Sequence, residues 1–131
     1  MAESHNAAVV RRFTDAFNRR DFDALTDEVD PEIQLHEWPA APGAQSYSGP
    51  DGLRHAIDHW FESWEWMRVE IEDLEERDDR VLVTLHQRAQ GKGSEAEVEI
   101  RSWNVYSFEH GRLTDIALFT DRDDALEAFR R

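Results

Sequence analysis

From Met67 to Thr120 the apolar residues fall on every second position, in four runs broken by short polar turns. A period of two puts successive side chains on opposite faces of a strand. Four such runs in a row satisfy their backbone hydrogen bonds most simply against one another, so the pattern predicts an antiparallel meander of four long strands. The first two runs, within MRVEIEDLEERDDRVLVTLHQRAQGKG, join at Arg77-Asp78-Asp79. Met67, Val69 and Ile71 share one face of the first, and Val81, Val83 and Leu85 share one face of the second. Gly91-Lys92-Gly93-Ser94 makes the next turn, AEVEIRSWNVYSF the third strand, Glu109-His110-Gly111 a turn, and RLTDIALFT the fourth.

Upstream the period changes to that of a helix. Ser4 is placed to cap a helix reaching Arg20, because Val9, Val10, Phe13, Ala16 and Phe17 follow it at helical spacing. Asp21 caps a second, FDALTDEV, which stops at Asp30-Pro31. Residues 32–38, EIQLHEW, alternate as a strand would, and Pro39 to Gly52 reads as a long loop of the sort that rims a site. From Asp51 to about Trp64, the positions of Leu53, Ala56, Ile57, Trp60, Phe61 and Trp64 predict a strongly amphipathic third helix, and DRDDALEAF a short last one. Helices followed by an antiparallel meander predict an α+β domain, with three N-terminal helices wrapping a curved sheet.

Length and charge narrow the function classes. The 131 residues fit a single domain, 1–131, large enough for a real core. A net charge of −14, from 15 basic and 29 acidic residues, argues against nucleic acid or an anionic membrane as partner. Neither a basic leader followed by a long apolar run nor a spanning stretch is present, which predicts a soluble, cytoplasmic protein. Without cysteine there are no disulfides, thiolate metal sites or cysteine nucleophile. Five Trp and seven Phe in so polar a chain imply an aromatic interior and a pocket lined by it.

Alternation assigns the faces. On the third long strand Glu97, Glu99 and Arg101 resist burial, so Val98, Ile100, Ser102, Asn104, Tyr106 and Phe108 are expected inside. An inward Asn104 must find partners or cost about 1 to 3 kcal/mol, and Tyr106 lies two residues away on the same face. Phe13, Phe17, Trp60, Trp64 and Phe119 are expected to form core and line a pocket. They would be joined there by Met67, Val83, Leu85, Gln87, Ser102 and Ala117, with Trp38 at the pocket edge. Trp103 and Val105, beside Leu82 and Thr84, are left on the outer face as an apolar patch, which predicts a homodimer formed through the sheet. His36-Glu37 before the long loop is the best place for acid/base chemistry. Strand neighbours point opposite ways, so only one of the two can enter the pocket. His55 and His59, spaced i, i+4, lack an HExxH context and a third ligand, and no metal is expected.

FTDAFNRRDFDALTDEVDPEIQLHEWP, YSGPDGLRHAIDHWF and WNVYSFEHGRLTDIALFTDRDDALEAF together resemble the nuclear transport factor 2-like superfamily, and within it the SnoaL-like domains. The resemblance spans nearly the whole chain and implies a cystatin-like cone of curved sheet and helices around a deep apolar pocket. The superfamily hosts isomerases, dehydratases, cyclases, epoxide hydrolases and binding modules, so it fixes the fold better than the function. Its ketosteroid isomerase pattern implies Phe13 where that enzyme has Tyr, Asn104 at the oxyanion Asp, and Trp38 or Glu37 at the base. Phe13 donates no hydrogen bond, which argues against that mechanism, whereas the Asn104 amide can still polarise a carbonyl. The dehydratase pattern needs paired inward histidines, and the epoxide hydrolase pattern an inward Asp-Arg-Asp set. Here His86, Glu99 and Arg101 are expected outside.

Two functions follow from the sequence. One is a cofactor-independent enzyme of isomerase, cyclase or dehydratase type acting on an apolar cyclic molecule, with His36 or Glu37 moving the proton and Asn104 with Tyr106 holding an oxygen. The other is a non-catalytic module binding an apolar small molecule or a protein with the same fold.

Overall fold

The computed structural model describes residues 3–37 and 45–131. Trp38 and the predicted loop residues 39–44 therefore fall outside the described residues. Helix α1 spans His5–Arg19, α2 Phe22–Asp27, α3 Gly49–Phe61 and α4 Arg122–Arg130. The strands are β1 Val29–His36, β2 Ser46–Ser48, β3 Trp64–Arg77, β4 Arg80–Gly91, β5 Glu97–Glu109 and β6 Arg112–Phe119.

The caps form as the sequence predicts. Ser4 accepts from the Ala7 amide at 3.1 Å and Asp21 from the Ala24 amide at 3.1 Å. At the end of α1, Arg20 adopts φ 53° and returns its amide to Ala16 and Phe17. Its guanidinium lies 3.8 Å from the centroid of the Phe61 ring, which ties α1 to α3. The two turns of the meander after β3 and β5 use left-handed residues, Asp78 at φ 52° and His110-Gly111 at 53° and 78°.

β3 to β6 form the antiparallel meander, and the sheet order is β2-β1-β6-β5-β4-β3. Three elements differ from the sequence expectation. β1 joins β6 in parallel, with Leu35 opposite Ile116, a long-range pairing that no local pattern announces. Within the predicted loop, Ser46–Ser48 adds to β1 as β2, and α3 begins at Gly49, whose φ of 76° suits the reversal. At its other end α3 stops at Phe61, short of Trp64, and Trp64 opens β3 opposite Gly91.

Bulges bend the sheet. Glu72 is extra between the Ile71–Leu85 and Asp73–Thr84 pairs, and Thr114 is extra between Leu113–Phe108 and Asp115–Ser107. Each adds a residue to one strand only, which curves the sheet and reverses which face the following residues occupy.

α1, α2 and α3 lie in the concave side. Their Val10, Phe13, Leu25, Leu53, Ala56 and Ile57 pack against Ile33, Val81, Val83, Leu113 and Ile116 in one buried cluster. α4 covers the convex side, where Ala125 and Phe129 bury Leu82 and Val105. β3 is an edge strand, and the Asn18 side chain of α1 meets it with two hydrogen bonds. Its Nδ2 donates to the Val69 carbonyl at 2.8 Å, and its Oδ1 accepts from the Val69 amide at 2.9 Å.

No helix among the described residues is long and apolar enough to cross a membrane.

Candidate functional site

Between the helices and the concave face of the sheet lies a cavity of about 300 Å³. The register explains its walls. Val83 opposes Asn104 and Leu85 opposes Ser102, so the inward set of β4 stands beside the inward set of β5, as the alternation predicts. α1 adds Phe13, Thr14 and Phe17, and α3 adds Leu53, Ile57 and Trp60. Trp64, Met67 and Val69 close the β3 side. Ile100 both lines the cavity and is 43% exposed, which marks the mouth, whereas Asn104 farther along β5 is 8% exposed and lies deep.

The polar groups inside are few, and each is held. Asn104 Nδ2 donates to the Tyr106 hydroxyl at 3.3 Å, and that hydroxyl is also hydrogen-bonded to the Thr14 side chain. Thr14 Oγ1 donates to the Val10 carbonyl at 2.9 Å. Asn104, Tyr106 and Thr14 thus link the cavity floor to the α1 backbone, and among the described residues the second amide hydrogen of Asn104 is left for another acceptor. Burial pushes the Tyr106 phenol above its ordinary range, against the opposing pull of its bonds to Asn104 and Thr14. On the next strand, Gln87 Nε2 donates to Ser102 Oγ at 2.6 Å, which gives the oxygen of the fully buried serine a donor.

The carboxylate comes from the end of β1. Glu37 Oε2 accepts from Trp60 Nε1 at 3.2 Å, and Oε1 accepts from the Tyr47 hydroxyl at 3.4 Å and the Gln45 amide at 3.2 Å. The Tyr47 phenol is raised by burial first, then by the Glu37 charge and the hydrogen bond to it, so it stays a donor. Among the described residues, Glu37 is the one charged side chain that lines the cavity.

The alternative between His36 and Glu37 resolves by strand alternation. His36 pairs with Ala117 on the convex face, where its Nδ1 lies 3.0 Å from Ser46 Oγ and its Nε2 2.8 Å from Asp115 Oδ1. As a residue entering the pocket, His36 is therefore corrected to an outer ladder, while Glu37, Asn104 and Tyr106 are brought to one cavity. Phe13, Phe17, Trp60, Trp64, Met67, Leu85 and Gln87 line the same cavity. Val83 and Ser102 are fully buried in the wall behind it.

Ala117 and Phe119 are corrections too. Counting by twos from the buried Leu113 puts them inside, but the extra Thr114 reverses the phase. Ile116 and Leu118 face the cavity instead, and Phe119 packs in the cluster under α4. The expected outer patch is corrected by the same helix: Leu82 and Val105 are buried beneath it, and Trp103 packs at its margin. Thr84, opposite Trp103, is half-buried.

Sequence reasoning passed over Thr14, Leu35, Leu53, Ile57 and Val69 as lining residues. Thr14 carried a usable signal, since it lies four residues after Val10 and three before Phe17 on the same helical face. The helix histidines do not converge: His59 pairs with Glu62 at 3.4 Å, and the His55 ring stands 6.2 Å from that of Tyr47. No group of three or more metal-ligating side chains is set to hold an ion among the described residues. Arg101 pairs outside with Glu72 at 2.7 Å.

A family model for the SnoaL-like domain matches residues 10–116. Among solved structures, a nuclear transport factor 2-like protein of unknown function from Burkholderia pseudomallei superposes with a TM-score of 0.81 at 20% identity, covering 98% of this chain and 100% of its own. A putative SnoaL-like polyketide cyclase from Jannaschia superposes with a TM-score of 0.79 at 17% identity, covering 98% and 96%. An uncharacterised cystatin fold protein from Novosphingobium aromaticivorans does so at 0.73 and 18%, covering 90% and 99%. Likeness at these identities establishes the fold alone. No curated protein matches the chain in sequence.

Proposed function

This chain belongs to the SnoaL-like domain family, and we propose that it binds an apolar, ring-bearing small molecule in its cavity and moves a proton on it without a cofactor. One observation carries the reading: among the described residues a single carboxylate, Glu37, lines an otherwise uncharged and mostly apolar cavity, oriented by neutral donors rather than by a cation. Donors that fix the direction of a carboxylate without neutralising it leave a charged proton acceptor facing apolar space. Asn104 supplies the complementary group, an amide hydrogen held in place from behind by Tyr106 and Thr14. It would hold a carbonyl or hydroxyl oxygen as charge develops there, in the manner of an oxyanion hole. Phe13 on α1 offers no donor to share that task. The Jannaschia protein described as a putative polyketide cyclase supports the same reaction class by analogy of fold.

The test uses 5-nitrobenzisoxazole, whose carbon-bound hydrogen a base removes as the nitrogen–oxygen bond breaks to give a nitrile and a phenolate. The protein is expected to accelerate this ring opening, and Glu37→Gln to abolish the acceleration while the reagent still binds. Undiminished turnover in Glu37→Gln would overturn the proposal. A second reading, binding without chemistry, is favoured by the three hydrogen bonds that Glu37 already accepts, since they occupy lone pairs a ligand proton would need. A homodimer through the sheet stays within the proposal, confined to the convex surface that α4 leaves open around Trp103 and Thr84.

A further inference from the structure

The cavity that serves as the ligand site in this reading also has a sign. Among the described residues its lining holds one acidic residue, Glu37, and no Arg, Lys or His. Thr14, Gln87 and Asn104 are neutral, and Tyr106 keeps its proton because burial raises its phenol. Among the described residues, none of the groups that donate to Glu37 is a cation. Its charge is oriented but not paired.

Two further features act in the same direction. Phe13, Phe17, Trp60, Trp64 and Tyr106 present aromatic rings to the cavity, and ring faces carry the negative end of the aromatic quadrupole. Around them the chain as a whole carries −14, a field that concentrates cations and repels anions on approach. An anionic ligand would meet an unpaired carboxylate within apolar walls, where repulsion is least screened. A neutral ligand would leave that carboxylate without a counter-charge.

We infer that this cavity selects an organic cation: an ammonium or quaternary ammonium group carried on an apolar, ring-sized body, with the positive end towards Glu37 and the body against the aromatic walls. The inference rests on the proposed ligand site and narrows its ligand class. Desolvation of the cation opposes binding, so the best ligands are those whose charge is diffuse and weakly hydrated, as in quaternary ammonium. Such a ligand also places the hydrogens on carbons next to its nitrogen, which the positive charge acidifies, near the cavity's carboxylate.

Three probes of similar size separate the outcomes by calorimetric titration of the whole chain: benzyltrimethylammonium, its uncharged carbon isostere neopentylbenzene, and phenylacetate. The cation is expected to bind at least about tenfold more tightly than neopentylbenzene, and phenylacetate more weakly than either. Glu37→Gln should bring the two isosteres to within about threefold, with neopentylbenzene bound at least as tightly as by the unaltered protein, which shows that the cavity is intact. Equal or tighter binding of neopentylbenzene by the unaltered protein, or a cation preference that survives Glu37→Gln, would overturn the inference and leave the ligand site standing. If none of the three binds, the inference falls together with the site itself.

Discussion

The two faces of the sheet are built from alternate residues of the same strands, and they end in opposite uses. On the concave face the inward set of β5 descends from the exposed Ile100 to the buried Asn104 and Tyr106, and three helices arch over it without filling the space. On the convex face α4 lies directly on Leu82 and Val105, and beyond it His36, Ser46 and Asp115 form a solvent-facing polar ladder. Both faces hold a titratable residue from the end of β1, and adjacency in sequence puts His36 and Glu37 in unlike surroundings. A helix that contacts a sheet side by side seals it; helices held off by large aromatic side chains leave a chamber.

That contrast can be broken at several places. The largest effect is expected on the sealed face. Phe129→Ala removes the main side chain with which α4 grips the sheet and should cost about 3 to 5 kcal/mol by urea denaturation, while cavity-probe affinity at a temperature where the variant is folded stays within about twofold. A loss below about 1 kcal/mol would mean that α4 is an ornament to the sheet. On β1, Glu37→Gln should lower the ring-opening rate of 5-nitrobenzisoxazole by about a hundredfold or more, against less than about twofold for His36→Ala. Comparable losses for both would erase the functional distinction between the faces.

Smaller effects probe the chamber floor. Tyr106→Phe leaves the Asn104 amide without its acceptor and should cost about 1 to 2 kcal/mol, with Asn104→Ala partly relieving that cost in the double variant. Additive losses would show that the two do not act as a pair. The smallest effect is a pH dependence. Tyr106 and Tyr47 both have phenols raised above the reference value of 10.0 in the folded state. The unfolded chain therefore gives up these protons first. Stability should be unaffected by them below that pH, should fall as pH rises above about 10, and should fall less steeply in Tyr106→Phe. An alkaline limb of the same slope in both proteins would show that Tyr106 ionises as freely folded as unfolded.

Much of this architecture is legible in the sequence because it is local. Amphipathic spacing marks α1 and α3, and alternation marks the inward Asn104 and Tyr106. What escapes depends on contacts between distant residues or on one inserted residue. Thr114 moves Ala117 and Phe119 to the other face, and nothing in the run RLTDIALFT tells a bulged strand from a regular one. α4 is readable as a helix, but the face it covers is not, so Leu82 and Val105 look like an open patch until the chain folds back on them. The same limit hides the parallel pairing of β1 with β6, and with it the side from which Glu37 enters.

The double hydrogen bond from Asn18 to Val69 bears on how copies of this protein can meet. An edge strand invites a second sheet to grow from it, and at Val69 a helix side chain already fills the place of that neighbour. β3 otherwise carries six acids against two arginines, so two such edges brought together would set like charges side by side. At the opposite border β2 is only three residues long, too short to template an incoming strand. Each border thus disfavours strand addition in its own way, β3 by the Asn18 side chain at Val69 and its acidic residues, β2 by its brevity.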